Sequence, residues 1–179
     1  MKNSRNFLLT VLGMVLMIPA GLSQVPVDET TKKITYKEVV TQEGTPAKMY
    51  NQCIEWVNAN YVNAADATRV RDPEGARIEI RHRIKVYNVD KNGVKTTEGG
   101  VVQYDLNLEF KEGRYRYTFT DFTLVAISKI PLERWLDKND PIYQPACDIY
   151  LQQVDKAVND LIKSLKEGMK PKVIKQDNW

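Results

Sequence analysis

The stretch from Arg77 to Val86 constrains this chain more than any other part of it. Ile78, Ile80, His82, Ile84 and Val86 alternate with Arg77, Glu79, Arg81, Arg83 and Lys85. Successive side chains of a strand point to opposite faces, so this period of two predicts a strand with one apolar and one charged face. Such strands belong to antiparallel sheets packed on one side and wet on the other.

The neighbouring segments supply the rest of that sheet. Val102, Tyr104, Leu106, Leu108 and Phe110 alternate, then Tyr115, Tyr117 and Phe119, with Gly113 between the two runs. If Glu112-Gly113 is a two-residue loop, Phe110 faces Tyr115, Leu108 faces Tyr117 and Glu109 faces Arg116, so apolar register and charge pairing agree. Past Asp121 the apolar phase shifts to Phe122, Leu124 and Ala126, which predicts a bulge or a strand end. Lys33 to Thr41 and Thr68 to Arg71 read as further strands. Asp72-Pro73-Glu74-Gly75 reads as a turn, and Asp90 to Gly100 as a polar loop.

Two segments have helical period. Thr45 is placed as an N-cap with Pro46 at the first helical position, and Met49, Tyr50, Cys53, Trp56, Val57 and Tyr61 recur at three-and-four spacing. A longer helix starts at Asp140-Pro141 or at Pro145, carries a stripe from Cys147 to Leu165, and stops at Gly168. Between sheet and last helix an irregular stretch runs from Ser128 to Asp137. The fold class is therefore α+β: a single antiparallel sheet of about five strands, in the order β-α-β-β-β-β-α, with both helices on one face.

The N-terminus reads as an export signal. Met1, Lys2 and Arg5 precede an apolar run from Phe7 to Ile18, followed by Pro19 and the small residues Gly21 and Ser23. Residues 1–23 are assigned to a signal peptide, 24–168 to one domain and 169–179 to a C-terminal tail. The apolar run is shorter than the roughly 20 residues a membrane-crossing helix needs, so no membrane anchor is expected after cleavage. No cysteine sits just after the cut, and Cys53 lies far downstream, so no lipid-anchor signal is expected. The expected location is the periplasm or cell envelope. Removing Lys2 and Arg5 lowers the formal charge from +3 to +1, and a chain so nearly neutral is not expected to bind nucleic acid. Cys53 and Cys147 are either a disulfide, which an oxidising compartment permits, or two buried thiols.

Gly113-Arg114-Tyr115-Arg116-Tyr117-Thr118-Phe119-Thr120-Asp121-Phe122, after the strand from Leu106 to Phe110, resembles the signature hairpin of an uncharacterised exported bacterial family with a TATA-binding-protein-like fold. Met49 to Trp56 and Pro131 to Leu136 are similar to that family too. The resemblance implies a fold and an envelope location, and it brings no catalytic or binding residue with it.

Chemistry is sparse. His82, the single histidine, falls in phase with Ile80 and Ile84, which makes it a core or interface residue rather than a general base. One histidine and two distant cysteines do not assemble a zinc site, and neither a nucleophile elbow, a phosphate loop nor a dinucleotide fingerprint is present, so no cofactor is implied. Asp90-Lys91-Asn92-Gly93 begins like a calcium loop, but Val101 stands where the distal glutamate is required, so a turn is expected.

The distinctive polar feature is the solvent face of the sheet. Arg77, Arg81, Arg83 and Lys85 lie on one strand, Gln103, Asp105, Asn107 and Glu109 on the next, and Arg114, Arg116, Thr118 and Thr120 on the third. Cross-strand ion pairs account for much of this array. As a binding surface it would offer guanidinium groups to a polar or anionic partner, with Arg81, Arg83 and Arg116 as its candidate residues. The leading expectation is a non-catalytic binding or structural module of the envelope, recognising a protein or a glycan. A second reading is an envelope hydrolase with a carboxylate site around Trp135 to Asp140, where aromatic and acidic residues coincide.

Overall fold

The structure is a computed structural model that describes residues 25–171. The expected export signal and the end of the tail, 172–179, lie outside the described residues. Strands β1 (Tyr36–Thr41), β2 (Thr68–Asp72), β3 (Arg77–Val89), β4 (Lys95–Lys111), β5 (Arg114–Leu124) and β6 (Ile130–Pro131) form one sheet. The order is β1-β5-β4-β3-β2, with β6 paired to the end of β5, and every pairing is antiparallel. Helices α1 (Pro46–Asn60) and α3 (Pro145–Gly168) pack on the same apolar face and touch each other, α1 over β4 and β5 and α3 over β3. A short helix α2 (Ala64–Ala67) leads into β2, and a 3-10 turn (Leu132–Trp135) follows β6.

Local chemistry explains the element ends. The Thr45 hydroxyl accepts the Lys48 N–H at 3.3 Å with Pro46 behind it, so α1 starts where cap and proline put it. Pro145 rather than Pro141 opens α3. The β4–β5 hairpin turns through Glu112 and Gly113, with Gly113 at φ 70°, and Phe110↔Tyr115, Leu108↔Tyr117 and Glu109↔Arg116 stand opposite one another. Past that point the predicted phase slip is a bulge. Gln103 pairs with Thr123 and Asp105 with Thr120, so β5 carries an extra residue and Asp121 takes φ 55°. This lets both Phe119 and Phe122 face the core.

That core holds Ile78, Leu106, Leu108, Phe119, Phe122 and Val158, all essentially solvent-free, and each such side chain contributes about 1.5–3 kcal/mol of apolar burial. The helices are stitched by the Trp56 indole N–H donating to Ser164 Oγ (3.1 Å), whose hydroxyl donates to Asn60 Oδ1 (2.9 Å).

Several expectations need correction. The sheet has six strands, because Ile130–Pro131 within the irregular stretch pairs with β5. The expected loop from Asp90 to Gly100 is mostly strand, since β3 runs to Val89 and β4 begins at Lys95. Gly99 answers to packing: a Cβ there would lie 2.5 Å from the Tyr150 hydroxyl. Only the tight turn from Asp90 to Val94 remains, where Asp90 Oδ1 accepts the Asn92 and Val94 N–H groups at 2.8 and 2.9 Å. Met169, placed in the tail by sequence, is fully buried and caps α3. Cys53 and Cys147 are both free, buried thiols, and Cys147 Sγ accepts the Gln144 N–H at 3.4 Å.

Candidate functional site

The face of the sheet opposite the helices carries the charged residues that sequence placed there. Arg81 reaches Asp105 directly across β4 with two parallel bonds of 2.7 Å, a bidentate fork that holds the guanidinium charged. Arg116 pairs with Glu109 differently, its Nε (2.7 Å) and a terminal guanidinium nitrogen both donating to the one oxygen Oε2. Lys85 meets Glu98 at 2.9 Å, Arg77 meets Glu79 at 3.0 Å, and Lys33 meets Asp121 in the bulge at 2.5 Å. Of the three arginines singled out from sequence, two are spent on this ladder. Arg83 is not, for no carboxylate pairs with it among the described residues.

Three further cations on this face make no close ion pair among the described residues: Lys37, whose charge acts on the Asp28 carboxylate at longer range, Lys111 and Arg114. The last two stand opposite each other across the β4–β5 hairpin, where Coulomb repulsion works against the pairing. Lys111, Arg114 and Arg116 surround a cavity of about 160 Å³ with Val39, Glu109 and Tyr115. Val39 is 55% exposed although it sits mid-strand. Sequence reasoning named Arg114 without singling it out and missed Lys111, which stands opposite it across the hairpin, and Lys37, which joins this face through the pairing of β1 with β5.

The second feature is the edge of β3. Pairing with β2 ends at Thr68↔Ile80, where the register shifts and α2 leads the chain away. Further along, the Gln153 side chain on α3 takes the place of a missing strand. Its Oε1 accepts the Tyr87 N–H at 2.9 Å and its Nε2–H donates to the Tyr87 carbonyl at 2.8 Å. Between these points lies a hollow of about 310 Å³ lined by Asn63, Asp66, Arg69, Arg81, His82 and Arg83 among others.

His82 is in that hollow, not in the core. Its phase is as predicted, for its ring meets Tyr61 (4.8 Å between centroids) and Tyr104 (6.3 Å) on the helix side of the sheet. It is nevertheless exposed, because α1 ends at Asn60 and α3 crosses β3 further on, at Tyr87. Desolvation by the flanking rings lowers its pKa, the Arg83 main chain opposes that shift, and the Arg83 charge adds to it.

The segment from Trp135 to Asp140 uses its side chains structurally. Trp135 is buried against Tyr150 at 5.8 Å. Both Asp140 oxygens accept from Arg134 at 2.8 Å, and Oδ1 also takes the Ile142 N–H at 2.9 Å. These bonds, the Arg134 fork first, hold the Asp140 carboxyl below its ordinary range. Asp137 accepts the Asn139 N–H at 2.9 Å. Among the described residues, no group of three or more His, Cys, Asp or Glu side chains is arranged to hold a metal ion, and no helix is long and apolar enough to cross a membrane.

An open antiparallel sheet with two helices packed on one face defines an α+β domain with a TATA-binding-protein-like fold. Residues 36–124 match the family described as "Domain of unknown function (DUF4468) with TBP-like fold", and the chain belongs to that family. A TBP-like protein from Parabacteroides distasonis is similar in structure, with a TM-score of 0.64 at 13% identity over 81% of this chain and 96% of that one. A DUF4468 family protein from Bacteroides ovatus gives 0.63 at 12% identity, over 83% and 93%. Among curated proteins none matches this chain.

Proposed function

We propose that this domain is a non-catalytic binding module of the bacterial cell envelope, which holds a protein or an envelope glycan through anionic groups laid on its open sheet face. The observation that carries the reading is the pair Lys111 and Arg114, opposite each other without a carboxylate partner among the described residues, at the small cavity under Val39, on a face whose other charges are largely neutralised in place. Cations held opposite each other by strand register gain from an incoming carboxylate, sulfate or phosphate, and guanidinium offers such groups two parallel bonds. The neutralised ladder around them keeps the surface from attracting polyanions indiscriminately.

The test is a thermal-shift panel of acidic envelope glycans, acidic peptides and small anions. A ligand at 100 times its Kd stabilises by about 2.7 kcal/mol, which for a domain of this size raises Tm by roughly 5–11 °C. The shift is expected to vanish in a Lys111→Gln, Arg114→Gln double variant. Silence across the panel, or a shift unchanged in that variant, overturns the reading.

A further inference from the structure

We infer that the exposed edge of β3 between Arg81 and Lys85 is a docking site for an extended, acidic segment of a partner protein, which adds to the sheet as a strand in line with β2. The inference rests on the reading of this domain as a binding module and assigns it a partner class.

The Ala76 carbonyl accepts the Phe110 N–H at 3.0 Å, so residue 76 faces β4. In an antiparallel strand both main-chain polar groups of a residue point to the same neighbour, and residues two apart point alike. Ile78, Ile80, His82, Ile84 and Val86 therefore face β4, and Arg81, Arg83, Lys85 and Tyr87 face away. Three bonds check this independently. Val101 on β4 sends its carbonyl the other way, to Val125 N–H at 2.8 Å, and Tyr87 gives both its groups to Gln153.

At Tyr87 the outward groups are satisfied by a side-chain amide. At Arg83 and Lys85 no strand and no such clamp covers them among the described residues; the His82 ring hydrogen-bonds the Arg83 main chain, a contact that an incoming strand would have to displace. From Arg81 to Tyr87 the strand advances about 20 Å, room for roughly five residues of an added strand. Main-chain bonds of this kind supply affinity in strand addition, and flanking side chains supply specificity.

Charge selects the occupant. Arg83 and Lys85 project onto the solvent face beside the edge, and Arg69 lines the hollow with Asp66 as its one carboxylate. Lys85 and Arg81 already have partners, whereas Arg83 and Arg69 have none among the described residues. A second copy pairing edge to edge would bring Arg83 and Lys85 against the same residues of its neighbour, an arrangement like charges oppose. Basic residues on an edge are a usual guard against self-pairing, and here they leave a strand with carboxylates at alternate positions as the complementary guest.

The probe is a fluorescein-labelled peptide, acetyl-Val-Asp-Val-Asp-Val-Asp-amide, titrated by anisotropy against the protein. Lys85→Pro removes an N–H that points away from β4, so the sheet keeps its ladder; binding is expected to weaken at least about tenfold with Tm little changed. Arg83→Glu is expected to weaken it similarly. A peptide N-methylated at alternate amides, which needs no change to the protein, is expected not to bind in one of its two phases. The inference is overturned if both N-methylated phases bind like the parent, if Lys85→Pro folds and binds unchanged, or if the parent does not bind at millimolar concentration. Binding lost only in the Lys111→Gln, Arg114→Gln variant would refute the edge and leave the sheet-face reading standing.

Discussion

Replacing Gln153 with alanine tests whether the β3 edge has the geometry described. The side chain reaches from α3 to make bonds of 2.9 and 2.8 Å with Tyr87, one to each main-chain group, and both partners are half-buried. Each such bond contributes about 0.5–1.5 kcal/mol net, and water entering the vacated space recovers part of it, so the loss should be about 1–3 kcal/mol. At 2–4 °C per kcal/mol that lowers Tm by roughly 2–12 °C, measurable by calorimetry or far-ultraviolet dichroism. Gln153→Met, of similar length without an amide, should lose nearly as much, whereas Gln153→Glu keeps an acceptor for the Tyr87 N–H and should lose less. A Tm within about 1 °C of wild type for Gln153→Ala would mean that Tyr87 does not need the clamp. The strand-direction argument that frees Arg83 and Lys85 would then lose one of its supports.

Gly99→Ala should destabilise by about 1–3 kcal/mol in denaturant titration, because the new Cβ would sit 2.5 Å from the Tyr150 hydroxyl and push it off its 2.6 Å bond to Asn88 Oδ1; a neutral result would refute the close approach. Glu38 accepts from Lys166 and Tyr117, each at 2.6 Å, and these donors, Lys166 first, hold its carboxyl below the ordinary 4.5. A depressed carboxylate stabilises the fold above its unfolded pKa, and that gain is lost as pH falls through the folded value. Glu38→Gln should therefore be less stable than wild type at pH 7, with the gap closing below pH 4.5, and a gap independent of pH would contradict the pairing. Cys53 and Cys147 should each take up an alkylating reagent when the unreduced protein is unfolded and resist it in the native state, where burial raises the Cys53 pKa. No uptake after unfolding would mean a bridge.

The parts of the fold legible in sequence were those set by neighbours along the chain. Alternation from Arg77 to Val86 fixed which face of β3 is wet, and the apolar and charge registers of the β4–β5 hairpin pointed to the same two-residue turn. The bulge at Asp121 was readable because it moves the apolar phase from Phe119 to Phe122. What stayed hidden depends on contacts between distant segments. Gly99 read as loop because its reason, Tyr150 on α3, is some fifty positions away. His82 read as a core or interface residue, and its exposure stayed hidden because phase tells a face but not whether a helix reaches that far along it. Lys37 reaches the sheet face, opposite Thr118, only through the pairing of β1 with β5, and Gln153 had no signal, being one polar residue on a helix with many.

Residue-resolved amide exchange of the free protein tests the central claim most directly, since an open edge of β3 is what the proposed partner needs. Ile84 and Val86, bonded to β4, and Tyr87, clamped by Gln153, should exchange slowly, while Arg83 and Lys85 between and beside them exchange fast. Protection at Arg83 and Lys85 equal to that of Ile84 would show the edge already occupied and would contradict the account.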